Sequence, residues 1–266
     1  MDYISAPDPL KDMSELKHNR FYSLDDQGIK VPKQRSPEWF HMRKGKLSGS
    51  KLSQFLFLDT IDDFIIMFEE IWEGRKKPAF TEEQKKWVEW GCKYEDTAME
   101  NLLNNVKDIY VFEAPMVQHE DVLYLSASAD GFYDQFDPVT NEVIETGIVE
   151  IKCPGKKKKA STNVTYYYVP QMYMEMAVSG RRNAIFCSWG PKTTRAWKIK
   201  WNDNVWNALC CMIDQFRNVK HGDKLKNWEK IQMCQFHLKR LCHQVVDSAV
   251  PLHTDKGWSN PPFKTI

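Results

Sequence analysis

Three ionisable residues stand where two extended stretches would bring them together: Asp130 in "SASADGFYD", and Glu150 and Lys152 in "GIVEIKCPGKKKK". Side chains alternate between the faces of a strand, so Glu150 and Lys152 share one face and Ile151 points to the other. Gly131 lets the backbone beside Asp130 approach a neighbour closely. Buried charge is costly unless paired or bound to a metal, so the set is either an internal ion-pair network or a metal site with a lysine beside it. Two converging carboxylates suit Mg²⁺, which takes carboxylates, waters and phosphate oxygens, and the Ile151 carbonyl can add a ligand. Lys152 would then sit beside the water that attacks a phosphodiester, orienting it, deprotonating it or neutralising transition-state charge. The bland alternative is a solvated or ion-paired strand edge.

The elements that must position these residues change period along the chain. "SPEWFHM" predicts a short helix with Ser36 as N-cap and Pro37 in the first turn, breaking near Gly45. "SGSKLSQFLFL" restarts a helix at Ser48 or Ser50, and 61–73 reads as an amphipathic helix. After Pro78, Thr81 caps a long helix whose Trp87, Trp90, Tyr94, Ala98 and Leu102 share one face. The period then becomes two. "IYVFEAPMVQ", "VLYLSASADGFYD" and "EVIETGIVEIK" read as three strands, with Asp130 in the second or in the turn just after it. "TYYYVPQMYMEMAVSG" returns to helix and stops at Gly180; "NAIFCSWG" and "TTRAWKIKW" are two more strands, and a further helix follows Asn202 or Asp203. Residues 1–35 form an irregular arm, 36–220 the core, and 221–266 a helical then irregular extension of the same α/β domain.

The totals narrow the partners. Apolar residues make up 42% and aromatics 13% of 266 residues, which argues for a folded core. The net charge of +1 announces no polyanion, but basic residues concentrate at Arg35, Arg43, Lys44, Lys46 and Lys51, and again at 156–159, while 59–70 is acidic. Local patches of this kind can hold DNA phosphates. Seven cysteines without a CxxC pair argue against a disulfide framework, a structural zinc or an iron–sulfur cluster. His41 and His119 read as surface or turn residues. No apolar signal core or membrane-length run occurs, so the expectation is a soluble, intracellular protein.

The order D-x19-E-x-K resembles the PD-(D/E)xK nuclease superfamily, and its surroundings resemble one branch of it, the lambda-type phage exonucleases and YqaJ viral recombinases. "WGCKYEDTAMENL" is similar to that family's helix carrying an extra acidic metal-site residue, at Glu95. "SPEWFHMRKGKLSGSKL" is similar to its amino-terminal element for the 5′-phosphate of a DNA end, with Arg43 and Ser50 in those places, Ser48 nearby and Trp39 one turn before Arg43. "SADGF", "VEIKCP" and "YYYVPQMYMEMAVSG" match three further motifs, the last placing Gln171 on the family's glutamine. Ala129 replaces the usual proline before the aspartate, and Met172 and Tyr173 follow Gln171 where polar residues are common.

The resemblance covers roughly 36–200 and implies a restriction-endonuclease-like core, a mixed central β-sheet flanked by helices. It implies an Mg²⁺-dependent exonuclease, with Mn²⁺ able to substitute, that digests linear double-stranded DNA 5′→3′ and leaves 3′ overhangs for recombination. Asp130, Glu150, the Ile151 carbonyl and Glu95 would hold the metal, Lys152 would act on the nucleophile and Gln171 would position it. It also raises a homo-oligomeric ring and a single-strand-annealing partner. Trp39, Lys156 and Lys157 are candidate DNA contacts. An endonuclease of the same superfamily and a catalytically silent DNA-binding protein are the alternatives. On the residues alone, Glu95 also fits a surface helix, Arg43 and Ser50 a solvated face and a cap, Gln171 a core amide, the lysines an exposed loop, and the tryptophans core packing.

Overall fold

The computed structural model describes residues 21–25, 28, 30–32, 34–156, 158–217, 228–254 and 256–260. Lys157 lies outside the described residues. The chain begins with β1 (Phe21–Tyr22), α1 (Pro37–Arg43), β2 (Leu47–Ser48), α2 (Gly49–Leu52) and a 3₁₀ turn over Ser53–Phe57. Next come α3 (Ile61–Phe68), continued by a π turn over Glu69–Glu73, and α4 (Glu82–Asn105). Five strands follow: β3 (Ile109–Phe112), β4 (Val117–Gln118), β5 (Leu125–Ala127), β6 (Gly131–Phe136) and β7 (Val143–Lys152). After a 3₁₀ turn at Tyr166–Tyr168 come α5 (Val169–Ser179), β8 (Asn183–Gly190), β9 (Thr193–Lys200), α6 (Asp203–Arg217), α7 (Trp228–Ser248), β10 (Val250–Pro251) and β11 (Trp258–Ser259).

The main sheet runs β1-β3-β6-β7-β8-β9-β10, with β11 also on β9. It is mixed: β7 pairs β8 in parallel, with Glu150 opposite Phe186, while β6 pairs β7 antiparallel, with Gly131 opposite Val149. Alternation along β7 splits the core into two layers. Val149 and Ile151 pack under α4 with Tyr94, Ala98 and Leu102. Ile148 points the other way, into the layer built with Leu52, Met172, Leu209 and Leu238 from the helices of the opposite face. Glu150 therefore faces the α5 side, as period two requires. Beyond 220, α7, β10 and β11 belong to this same body, and before 36 β1 extends its edge.

Local chemistry explains most boundaries. The Ser36 hydroxyl accepts from Trp39 N–H at the start of α1, and reciprocal Thr81–Gln84 bonds form a capping box on α4. Gly180, at φ 69°, ends α5 in a left-handed turn. Two expectations change. The runs "IYVFEAPMVQ" and "VLYLSASADGFYD" each divide, because Pro115 supplies no ladder donor and the chain switches sheets between Ala127 and Gly131. The halves β4 and β5 join β2 in a separate three-stranded sheet, in which Ser48 lies opposite Ser126. The helix restarting at Ser48 is only four residues long before it tightens to 3₁₀. Its N-cap Ser48 makes no capping bond, because the hydroxyl is engaged by Arg43 instead. No helix among the described residues is long and apolar enough to cross a membrane.

Candidate active site

Asp130 occupies the sheet-switching break just before β6. Its N–H donates to the Val149 carbonyl at 3.1 Å and its Oδ2 accepts from the Ile151 N–H at 2.6 Å. Glycine at 131 lets the start of β6 pack closely on β3, since a Cβ there would lie 2.7 Å from Val111 Cγ1. Asp130 is fixed beside the end of β7, next to Glu150 and Lys152. The Lys152 ammonium contacts Glu150 Oε1 and sits 4.9 Å from the centre of the Tyr168 ring.

Glu150 is 1% exposed. Its Oε1 also accepts from Gln171 Nε2 at 2.6 Å, and the same nitrogen donates to Glu175 Oε1 at 2.9 Å. Gln171 and Glu175 lie four residues apart on α5, hence one above the other on its sheet-facing side. Glu175, 2% exposed, is a member of the cluster that the sequence did not reveal: one acid in "MYMEM" reads as the polar point of an apolar helix. The second oxygens of Glu150 and Glu175 are buried and have no hydrogen-bond partner.

Burial, then Glu150's negative charge, push the Asp130 carboxyl up to about 7. Burial also raises Glu150, and raises Glu175 well above the carboxylate range, with Glu150 adding to the latter. Burial pulls Lys152 down, but Glu150 and Asp130 outweigh it and hold the ammonium above the ordinary lysine value. Two buried acids, Glu150 and Glu175, and the half-buried Asp130 thus share one half-buried ammonium, an arrangement that calls for protons or another cation.

Glu95 comes from α4, on the opposite layer, and is close enough for Asp130 to raise its carboxyl. Burial is the larger cause, and together they bring Glu95 to about 6. Its Oε2 is held at 2.5 Å by Arg35, a residue of the arm in a left-handed conformation (φ 67°). Gln34 beside it donates to the Ala129 carbonyl at 2.8 Å. Sequence spacing could not assign Arg35 to this site, because the contact spans sixty residues. Among the described residues no three His, Cys, Asp or Glu side chains stand as a ready metal cage. Each carboxylate is instead held by a protein donor, and the orphaned Glu150 oxygen is the atom best suited to a hard cation.

A second cluster forms where α1, β2 and α2 meet. Arg43 donates to Ser48 Oγ at 2.9 Å and to Ser50 Oγ at 3.2 Å. Its guanidinium lies 4.2 Å over the Trp39 ring, and Trp39 is buried, so it supports the arginine rather than offering a face to a base. Burial lowers the Arg43 guanidinium, partly offset by the nearby Glu175 carboxyl, which links the two clusters. Lys51 and Lys77 flank Glu70 at 2.7 and 3.8 Å. Lys156 lies over Trp87 and Lys158 over Trp90, which anchors the lysine loop on α4. His119 accepts N–H bonds from Asp121 and Val122 within its turn.

A family model described as a YqaJ-like viral recombinase domain matches residues 38–182. Among solved structures, an alkaline exonuclease (LHK-Exo) from Laribacter hongkongensis superimposes with a TM-score of 0.51 at 19% identity. That match covers 79% of this chain and 99% of the other. LHK-Exo in complex with dAMP matches over the same shares, at 20% identity and a TM-score of 0.48. No curated protein matches the chain. The architecture is the restriction-endonuclease-like one, a mixed central sheet flanked by helices.

Proposed function

The chain belongs to the YqaJ-like viral recombinase family, and on that premise we propose that it is an Mg²⁺-dependent exonuclease that digests linear double-stranded DNA from 5′ ends and leaves 3′ single strands. One observation carries the reading: Asp130, Glu150 and Lys152 converge at one strand end, and the second Glu150 oxygen is buried with no hydrogen-bond donor on it. Asp130, Glu150, Glu95 and the Ile151 carbonyl are the residues that would hold the ion. Bound there, Mg²⁺ would neutralise charge on the scissile phosphate and make water a better nucleophile.

Glu150 and Asp130 hold Lys152 as an ammonium, so its role is that of a cation and hydrogen-bond donor beside the reacting phosphate. Gln171 fixes the Glu150 carboxylate against rotation and ties it to Glu175. Arg43, Ser48 and Ser50 present two hydroxyls and a guanidinium, a set suited to a terminal phosphate. Polarity follows from that pocket, because the carboxylates and the lysine have no preferred strand direction.

The experiment is digestion of linear duplexes with and without Mg²⁺, beside a covalently closed circle. Metal-dependent shortening from 5′ ends with an intact circle is expected. A cut circle would assign an endonuclease, and salt-sensitive binding without turnover a silent DNA-binding protein.

Ion binding should also appear without substrate. Asp130 is raised in the fold, so its protonated form stabilises the protein below its unfolded value near 4. That contribution is lost as pH rises through about 7. Mg²⁺ needs the ionised form and should restore stability chiefly above that pH. At about 100 times Kd the linkage is about 2.7 kcal/mol, a rise in Tm of about 5–10 °C. Calorimetry at pH 8 should show that rise, a smaller one at pH 6, and little at either pH for Asp130→Asn.

A further inference from the structure

Each acid of the site carries a protein donor before any ion arrives. Asp130 is held by the Ile151 N–H of β7, and Glu150 by Lys152 and by Gln171 of α5. Those donors stand on elements of the packed core. Glu95 differs: its Oε2 is held at 2.5 Å by Arg35, whose side chain is 45% exposed. Burial pulls the Arg35 guanidinium down, but Glu95 outweighs it and Asp130 adds to the effect, so the cation stands near both acids. Arg35 has a left-handed backbone (φ 67°), which glycine adopts freely and arginine does not. The chain thus accepts local strain to set this guanidinium on Glu95.

The residues on either side of Arg35 tie it to both clusters. Gln34 donates to the Ala129 carbonyl, next to Asp130, and Ser36 caps α1, the helix that carries Trp39 and Arg43. Three consecutive residues therefore join the acids to the Arg43–Ser50 cluster. A carboxylate engaged by a guanidinium is a poorer ligand for a metal ion, because the ion must compete with a charge already there. A phosphate that draws the guanidinium away removes that competition. The exposed side of Arg35 leaves it open to such a phosphate.

We propose that Arg35 is a positioning residue that holds Glu95 back from the metal ion until a DNA phosphate takes up its guanidinium. Ion and DNA then bind with positive cooperativity, and the free protein holds the ion weakly. The inference rests on the exonuclease reading above. It implies that the acids take up the ion chiefly in the presence of substrate.

The test follows melting temperature against Ca²⁺ concentration, with and without a linear duplex, Ca²⁺ replacing Mg²⁺ to slow hydrolysis. Without DNA, Arg35→Gly should bind the ion about 5-fold more tightly than the unaltered protein. Glycine suits the φ of 67°, so this variant should fold. The duplex should tighten ion binding in both proteins, since its phosphate adds a ligand, but about 5-fold more in the unaltered one. In a Glu95→Gln background, Arg35→Gly should leave the ion affinity of the free protein unchanged. An effect of equal size there would show plain charge repulsion and overturn the proposal. Unchanged or weaker ion binding by Arg35→Gly alone would overturn it too, because a merely supporting Arg35 would take Glu95 out of place with it. If linear duplexes are digested in Mg²⁺ but these affinities do not move, the role of Arg35 alone fails. If they are not digested at all, the exonuclease reading fails and this inference with it.

Discussion

Lys152→Ala should cut DNA hydrolysis about 10³-fold while leaving Kd for linear duplex within a few-fold. The ammonium contacts Glu150, lies beside Asp130 and is held charged by both. Without it, positive charge would disappear from the point where the proposed function puts the attacked phosphate. On the proposed function, contacts to the DNA end would run through Arg43 and its serines and would survive the substitution. Glu150 can respond to the loss of its partner by taking a proton, which limits the effect on folding. Lys152→Met, which keeps much of the side-chain volume, should be as inactive. Single-turnover digestion with parallel binding and melting curves checks this; normal digestion by either variant would remove the catalytic assignment.

Arg43→Ala should separate the two kinds of DNA end. The guanidinium is braced by the Trp39 face and aligned by Ser48 and Ser50, so its position is set before any ligand arrives. A pre-set guanidinium on a phosphate dianion is worth about 1.5–3 kcal/mol, or about 10- to 100-fold in kcat/KM on 5′-phosphorylated duplex. On a 5′-hydroxyl end there is no terminal phosphate to lose, and the variant should act nearly as the parent does. Paired digestions of the two substrates read the ratio directly. An equal loss on both would show that Arg43 supports the fold or binds DNA generally.

Local signals in the sequence were strong where the chemistry is local. Ser36, Thr81 and Gly180 act at the ends of α1, α4 and α5, because capping depends on residues within one turn. Alternation in "GIVEIK" placed Glu150 and Ile151 on opposite faces, and the structure gives them opposite layers. What escaped depends on contacts across the chain. Glu175 becomes significant only once α5 is packed on β7 and its carboxylate is sealed beside Glu150. Arg35 belongs to a segment that looks irregular, and nothing nearby marks it as the partner of Glu95. The divided strands were missed because a sheet switch leaves the apolar pattern intact while changing the neighbour to which each half bonds.

The path β1-β3-β6-β7-β8-β9-β10 sets Glu150 and Lys152 on its middle strand. Fraying that begins at either margin must peel away three strands before it reaches them. The margins are β1 and β10, each only two residues long, so opening either leaves the pairing of β6, β7 and β8 in place. The longest ladders of the sheet, β6–β7–β8–β9, thus surround the acids and the lysine, and the shortest pairings lie at the rim.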